Sequence, residues 1–157
     1  MSFINEQNIP SPDEVKDEVP FPRHLTGIKA KRDAELKDII SGKTDKFILI
    51  VGPCSASDED AVCDYISRLA KINEEVKDKV FIIPRIYTNK PRTTGDGYKG
   101  MLHQPDPEKA TNIYAGIIAL RKMHIRALSE SHLTAADEML YPENLVYVDD
   151  MLGYITI

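Results

Sequence analysis

The fold of this protein is indicated first by the stretch FILIVGP, residues 47–53, in which five apolar residues in a row precede a glycine and a proline. A short unbroken apolar run is typical of a strand that is buried on both faces, as in a parallel sheet. The run VFII at residues 80–83, which continues through Arg85 to Tyr87, repeats this pattern. We therefore predict neighbouring parallel strands at 47–52 and 80–87.

Helical and extended patterns alternate around these two strands. Residues 1–24 contain prolines at positions 10, 12, 20 and 22, and we expect them to form an extended arm. Helical spacing of apolar residues and end signals predict helices at 25–41 with Gly42 as the C-cap, after Ser57 as the N-cap, at 108–130, and over a short span at 142–152. Further strands are predicted at 133–139 and 154–157.

This order gives three β-α units followed by a lone strand, which indicates a parallel α/β sheet. A complete (β/α)8 barrel needs about 250 residues, whereas this chain has 157. We predict a partial TIM barrel of about the first three and a half β-α units, with an N-terminal arm and helix over residues 1–45 and the truncated barrel over 46–157. A complete small doubly wound sheet is the competing fold, although the chain ends on an apolar strand with nothing to cover it.

Composition limits the classes of partner. The net charge is −5, so no general positive field attracts nucleic acid or an anionic membrane. No apolar run approaches the roughly 20 residues of a membrane helix, and the acidic, proline-containing start lacks signal-peptide character. We therefore expect a cytoplasmic protein. The two cysteines, Cys54 and Cys63, are too few for a disulfide framework, and Cys63 is expected to pack in the core.

The chemistry is expected where the first two strands end, because ligand sites of parallel α/β folds lie at the carboxyl ends of the strands. Arg85, Lys90 and Arg92 place three cations close together there, and Thr93 and Thr94 add hydroxyl donors. Such a segment suits phosphate binding, although from composition alone a solvated basic loop remains open. Cys54, in GPCS at residues 52–55, is either a small inert side chain or a thiolate ligand for a divalent metal ion.

The segment GPCS, followed by PRIYTNKPRTTGDGYKG at residues 84–100, resembles class I 3-deoxy-D-arabino-heptulosonate-7-phosphate (DAHP) synthase of the bacterial and fungal type. The resemblance covers nearly the whole chain, including the arm, DKFILIVGPCS at 45–55 and ADEML at 136–140. The related 3-deoxy-D-manno-octulosonate-8-phosphate synthase carries K-A-N-R-S in place of Lys90-Pro91-Arg92-Thr93-Thr94. Pro91 and Arg92 therefore favour the DAHP enzyme.

The resemblance implies a transferase that condenses phosphoenolpyruvate with erythrose 4-phosphate, the first step of the shikimate pathway to aromatic amino acids. It also implies a role for each matching residue: Cys54 as a metal ligand, Arg85 as a phosphoenolpyruvate contact, Lys90 as the catalytic lysine between both substrates, Pro91, Arg92 and Thr93 as part of the aldose-phosphate site, and Glu138 as an acidic residue bordering the site. The implied cofactor is a divalent ion such as Mn, Fe, Co or Zn, and the implied assembly is a homo-oligomer.

The same resemblance implies that this chain is the amino-terminal half of the enzyme. The family's other metal ligands (a histidine, a glutamate and an aspartate) and further cations for phosphoenolpyruvate would lie beyond Ile157. We therefore expect the isolated chain to bind metal weakly and to be inactive. The alternative is a non-catalytic truncated remnant that associates with a full-length synthase and alters its assembly or feedback response. None of the histidines fits the missing ligand, and His124 is expected to lie on a helix surface or in helix packing.

Overall fold

The structure is a computed structural model that describes residues 8–89, 97–139 and 141–156. Within these residues helices and strands alternate, and the elements run in the order α1 (Pro12–Glu18), α2 (Arg23–Ile40), β1 (Phe47–Val51), α3 (Glu59–Val76), β2 (Val80–Pro84), α4 (Ile113–Ser131), β3 (Ala136–Glu138), a 3-10 helix (Pro142–Tyr147) and β4 (Tyr154–Thr156). The chain therefore has the α/β character that its sequence predicts.

The strands pair in parallel and lie beside one another in chain order. Strand β1 pairs with β2 in a register that places Phe47 opposite Val80, and β3 pairs with β4. A parallel bridge between Arg85 and Ala136 joins the two pairs, and the Ile86 amide donates to the Ala136 carbonyl at 2.9 Å. The predicted parallel, sequential strand order is thus confirmed for the described strands.

Strand β2 is buried on both faces because helices cover both. Phe81 and Ile83 pack in one cluster with Leu36 and Ile39 of α2. Ile82, which points to the opposite face, belongs to a separate cluster with Leu69 and Leu133. A third and larger cluster joins α3 to α4 and contains Cys63, as predicted for that residue. Alternate residues of one apolar run therefore serve two different cores.

The amino-terminal segment differs from the extended arm that its prolines suggested. Pro12 occupies the first turn of α1, where a proline costs no hydrogen bond. Ser11 and Glu14 form a reciprocal capping box in which the Glu14 carboxylate accepts from the Ser11 amide at 2.8 Å. Val15 of this helix is fully buried. The prediction of an extended segment was therefore wrong for Pro12–Glu18 and for the start of α2.

Several predicted boundaries also shift. Helix α3 is capped by Asp58, whose carboxylate accepts from the Ala61 amide at 2.8 Å, and not by Ser57. Helix α4 begins five residues after the predicted start, because Asn112 caps it. Strand β3 is confined to Ala136–Glu138, and the predicted helix at 142–152 is a short 3-10 helix. Ser41 is the C-cap of α2, and Gly42 follows it at φ 74.

Arg121 of α4 connects the amino-terminal segment to the rest of the fold. Its side chain is fully buried, and its Nε and Nη2 atoms donate to the Val19 carbonyl at 3.1 and 2.8 Å. The same guanidinium contacts the Asp150 carboxylate at 2.8 and 3.0 Å. Residues distant in the chain therefore meet at one buried cation.

In the part of the chain that is described, no helix has the length and apolarity to cross a membrane.

Candidate active site at the carboxyl ends of the strands

The turn after β1 is shaped by a close approach between two backbones. A Cβ atom added at Gly52 would lie 2.3 Å from the Arg85 carbonyl oxygen, closer than any side chain can tolerate. The Arg85 amide donates to the Val51 carbonyl at 2.9 Å, and the Ala56 amide donates to the Tyr87 carbonyl at the same distance. The motif at 52–55 and the described part, 85–89, of the motif at 85–94 therefore lie side by side, as predicted.

Arg85 is held at this edge through its side chain as well. Its Nε atom donates to the Pro53 carbonyl at 3.0 Å, and its guanidinium carbon lies 4.9 Å from the centre of the Tyr87 ring. The Tyr87 hydroxyl in turn forms a 2.9 Å hydrogen bond with the Thr156 hydroxyl at the end of β4. Arg85 is half-buried, so a partly desolvated cation lies at the carboxyl ends of the strands.

Cys54 and Cys63 have opposite environments. Cys54 is exposed on the turn after β1, whereas Cys63 is buried in α3. Burial raises the pKa of the Cys63 thiol to about 11, so this thiol stays protonated at neutral pH and is a poor metal ligand. Among the described residues no group of three His, Cys, Asp or Glu side chains comes together. The described residues therefore offer Cys54 as one donor and do not form a complete metal site.

Two acidic residues at the end of β3 have different roles. Glu138, the predicted site residue, is half-buried, and its carbonyl accepts from the Asn89 side-chain amide at 3.0 Å. Asp137, which the sequence interpretation did not select, is completely buried. Its carboxylate accepts from the amide and the hydroxyl of Thr88 at 2.9 and 2.6 Å. The carboxyl end of β3 therefore supports the segment that follows β2.

Asp137 could have been noticed in the sequence because adjacent strand residues point to opposite faces, so one of Asp137 and Glu138 had to face inward. A carboxylate is costly to bury unless it is hydrogen-bonded. Its partner Thr88 carried no signal of its own in the sequence.

His124, expected on a helix surface or in helix packing, is 3% exposed, and its Nε2 lies 3.2 Å from the Asp137 carboxylate. His103 is a loop residue, and burial lowers its pKa below the ordinary histidine value.

The predicted residues Lys90, Pro91, Arg92 and Thr93 lie outside the described residues, so their roles remain predictions. Their described neighbours are Asn89 on one side and Gly97 on the other. Gly97 and Gly100 have φ values of 82° and 88°, a left-handed conformation that glycine adopts without strain.

Parallel strands in chain order, helices on both faces of β2, and a half-buried arginine at the carboxyl ends of the strands define a parallel α/β protein. The DAHP synthetase I family matches residues 23–157. The chain belongs to this family.

Individual relatives agree with this assignment. The chain is 37% identical over 129 residues to the phenylalanine-inhibited phospho-2-dehydro-3-deoxyheptonate aldolase of Saccharomyces cerevisiae, a match covering 82% of this chain and 34% of that protein. It is 28% identical over 155 residues to the Tyr-sensitive aldolase of Escherichia coli, covering 99% of this chain and 43% of that protein.

A solved phospho-2-dehydro-3-deoxyheptonate aldolase from Francisella tularensis superposes with a TM-score of 0.88 at 26% identity, over 98% of this chain and 45% of that one. The chain thus spans less than half the length of these relatives. Another aldolase of this name, from Amycolatopsis methanolica, is 32% identical over 147 residues, which is 94% of this chain and 71% of that protein.

Proposed function

We propose that this chain supplies a substrate-binding face of a DAHP synthase, a transferase that condenses phosphoenolpyruvate with erythrose 4-phosphate in the first step of aromatic amino acid biosynthesis. The observation that carries the proposal is the position of Arg85 at the carboxyl ends of the strands, where the Pro53 carbonyl holds its side chain beside the Cys54 turn. Family membership supports the same reading. A cytoplasmic location and a homo-oligomeric assembly remain predictions.

The proposal includes a finer description of the fold. We infer that the parallel strands are the first part of a (β/α)8 barrel, because they follow one another in chain order with helical connections. Two side chains of β1 support this inference. Phe47 and Leu49 are 68% and 38% exposed, although apolar edge strands are normally paired or covered by another element. Further strands and helices of a barrel would cover them.

In the proposed reaction the enol carbon of phosphoenolpyruvate attacks the aldehyde carbon of erythrose 4-phosphate, forming one carbon–carbon bond. Lys90 donates a proton to the resulting alkoxide. Water then adds to the cationic carbon, and release of inorganic phosphate leaves the ketone of the product. Arg85 would bind an anionic group of phosphoenolpyruvate, whereas Arg92 and Thr93, set by Pro91, would bind the aldose phosphate. Glu138 would border the two substrates.

A divalent metal ion would act as a Lewis acid in the complete site. Catalytic metal sites commonly use three protein ligands, and Cys54 is the donor that the described residues place at this edge. The other ligands would have to come from elsewhere. For the 157 residues alone we therefore predict no DAHP formation, with or without added manganese.

Ligand binding tests the proposal on the chain itself. Isothermal titration should detect binding of phosphoenolpyruvate, and Arg85→Ala and Lys90→Ala should each weaken it about tenfold, because each removes a charge-assisted contact. Arg68→Ala is the matched control, since Arg68 is an exposed α3 arginine paired with Asp64. Absence of binding, or an equal loss in the control, would refute the proposed site.

Turnover is tested by adding the part of the Saccharomyces cerevisiae relative that this chain does not match. Consumption of phosphoenolpyruvate should then depend on erythrose 4-phosphate. Lys90→Ala should abolish this consumption, and Cys54→Ala should strongly reduce the metal-dependent consumption. Robust turnover by the 157-residue chain without any addition would show that the ligand argument is wrong.

A further inference from the structure

The segment after β2 leaves the sheet after Ile86, before it reaches Lys90. The last backbone hydrogen bond from this segment to β3 runs from the Ile86 amide to the Ala136 carbonyl at 2.9 Å. Beyond it the Thr88 amide is fully buried and would have no strand partner. The side chain of Asp137 takes the place of that strand, because its Oδ1 atom accepts from the Thr88 amide at 2.9 Å.

The Asp137 carboxylate is buried, and three donors and a histidine nitrogen surround it. Oδ1 also accepts from the Glu138 amide at 2.7 Å, while Oδ2 accepts from the Thr88 hydroxyl at 2.6 Å and lies 3.2 Å from His124 Nε2. A buried carboxylate needs several such partners, since an unsatisfied one is strongly unfavourable. Its orientation is therefore fixed from two sides, by α4 through His124 and by its own backbone.

Thr88 also contacts the residues that follow the proposed substrate segment in the chain. Its carbonyl accepts from the Leu102 amide at 3.1 Å, and next to it the Asn89 side chain donates to the Glu138 carbonyl at 3.0 Å. The residues before position 90 and those after position 96 are thus tied together at one threonine. Arg85, three residues earlier, belongs to the same held segment.

We propose that Asp137 is a positioning residue that acts through Thr88, holding together residues 85–89 and 97–102, between which Lys90, Arg92 and Thr93 lie in the chain. This inference rests on the proposed function for its effect on substrate binding, but the connection itself rests on the hydrogen bonds at Thr88. Asp137 is not placed to touch substrate, because its carboxylate is enclosed by Thr88, His124 and the Glu138 amide.

The test compares two buried threonines. Thr88→Val removes the hydroxyl that donates a hydrogen bond to Asp137 but keeps the volume of the side chain. Thr88→Ser keeps the hydroxyl. Thr134→Val is the matched control, because Thr134 is also buried, at 2% exposed, but precedes the amino end of β3. Two quantities are measured in each variant: the affinity for phosphoenolpyruvate by titration, and the exchange rate of the Leu102 amide hydrogen by NMR.

We expect Thr88→Val to weaken phosphoenolpyruvate binding about tenfold, which is the scale of one hydrogen bond to a charged group, and to speed exchange at Leu102 by about the same factor. Thr88→Ser should restore both values, and Thr134→Val should change neither even if it melts at a similarly reduced temperature. Asp137→Asn, which keeps an acceptor for the Thr88 amide, should act in the same direction if Thr88→Val fails to fold.

Equal effects of Thr88→Val and Thr134→Val would overturn the inference, because they would show a loss of general stability alone. Unchanged affinity in Thr88→Val would overturn it as well. If the unaltered chain binds no phosphoenolpyruvate, the proposed function fails by itself. The Leu102 exchange rate then decides the inference alone: faster exchange in Thr88→Val supports it, and an unchanged rate overturns it.

Discussion

Arg121 and Asp137 are both charged residues with no exposed surface, and they are satisfied in different ways. Arg121 donates to the Val19 carbonyl and to a carboxylate, that of Asp150, so it joins α4 to both ends of the described chain. Asp137 accepts chiefly from groups of Thr88 and from its own neighbour in β3. The first arrangement ties distant segments into one body, whereas the second shapes one edge of the sheet. A buried charge therefore joins distant segments in one region and holds the segment after β2 in the other.

Arg121→Met should have the largest effect on stability. It removes both Arg121 donors from the Val19 carbonyl and leaves Asp150 without this cation, so the free energy of unfolding should fall by about 3 kcal/mol. Urea denaturation measures this loss. Arg68→Met, at an exposed arginine in an i,i+4 pair, should change the value by about 0.5 kcal/mol or less. Similar losses in both variants would contradict the distinction between the buried and exposed cations.

Gly52→Ala should disturb the site edge more than it disturbs the fold. The added Cβ would lie 2.3 Å from the Arg85 carbonyl and 2.9 Å from the Arg85 Cβ. We expect a loss of about 2 kcal/mol in unfolding free energy, together with weaker phosphoenolpyruvate binding. Gly27→Ala is the control with the opposite sign. Gly27 lies inside α2 with no atom within 4 Å of an added Cβ, so this change should stabilise the chain by about 0.5–1 kcal/mol.

The Cys63 thiol should make stability fall at alkaline pH. Burial raises its folded-state pKa to about 11, whereas an unfolded cysteine titrates near about 8.5. The folded state therefore holds the proton more tightly, and its stabilising contribution is complete below the unfolded pKa and lost as pH rises toward the folded one. Unfolding at several alkaline pH values, compared with the Cys63→Ala variant, isolates this contribution. The same alkaline loss of stability in Cys63→Ala as in the unaltered chain would contradict the assignment to this thiol.

Lys16→Ala should have the smallest effect. Lys16 lies 2.7 Å from Asp149, but the two side chains are 29% and 49% exposed. Solvent screens such a pair, so the loss in unfolding free energy should be about 0.5 kcal/mol or less, and it should vanish at an ionic strength of about 1 M. A loss comparable to that of Arg121→Met would mean that surface charge, and not the buried guanidinium, attaches the amino-terminal helix.

Local patterns predicted much of the fold. The runs at 47–51 and 80–83 are strands, as predicted, but only the second is covered on both faces. The prediction of burial on both faces was wrong for β1, because Phe47 and Leu49 are exposed on one face of it. The motifs at 52–55 and 85–89 were expected to lie together because the carboxyl ends of parallel strands share an edge. The helix at Pro12–Glu18 was missed because prolines were taken as evidence against helix, although the first turn accepts them. Asp58 was passed over for Ser57 because adjacent capping residues look alike in sequence.

By itself, the sequence determined the order of strands and helices, the position of Arg85 after the second strand, and membership of a family through the motif around Lys90. These properties are local, since each depends on residue types within one or two turns of chain. Only the tertiary structure decided that Asp137 supports Thr88, that Arg121 binds Val19 and Asp150, and that Gly52 must lack a side chain. Each of these contacts joins residues about 30 or more positions apart in the chain. Their partners are chosen by where the sheet and helices place buried polar groups, which must then find one another.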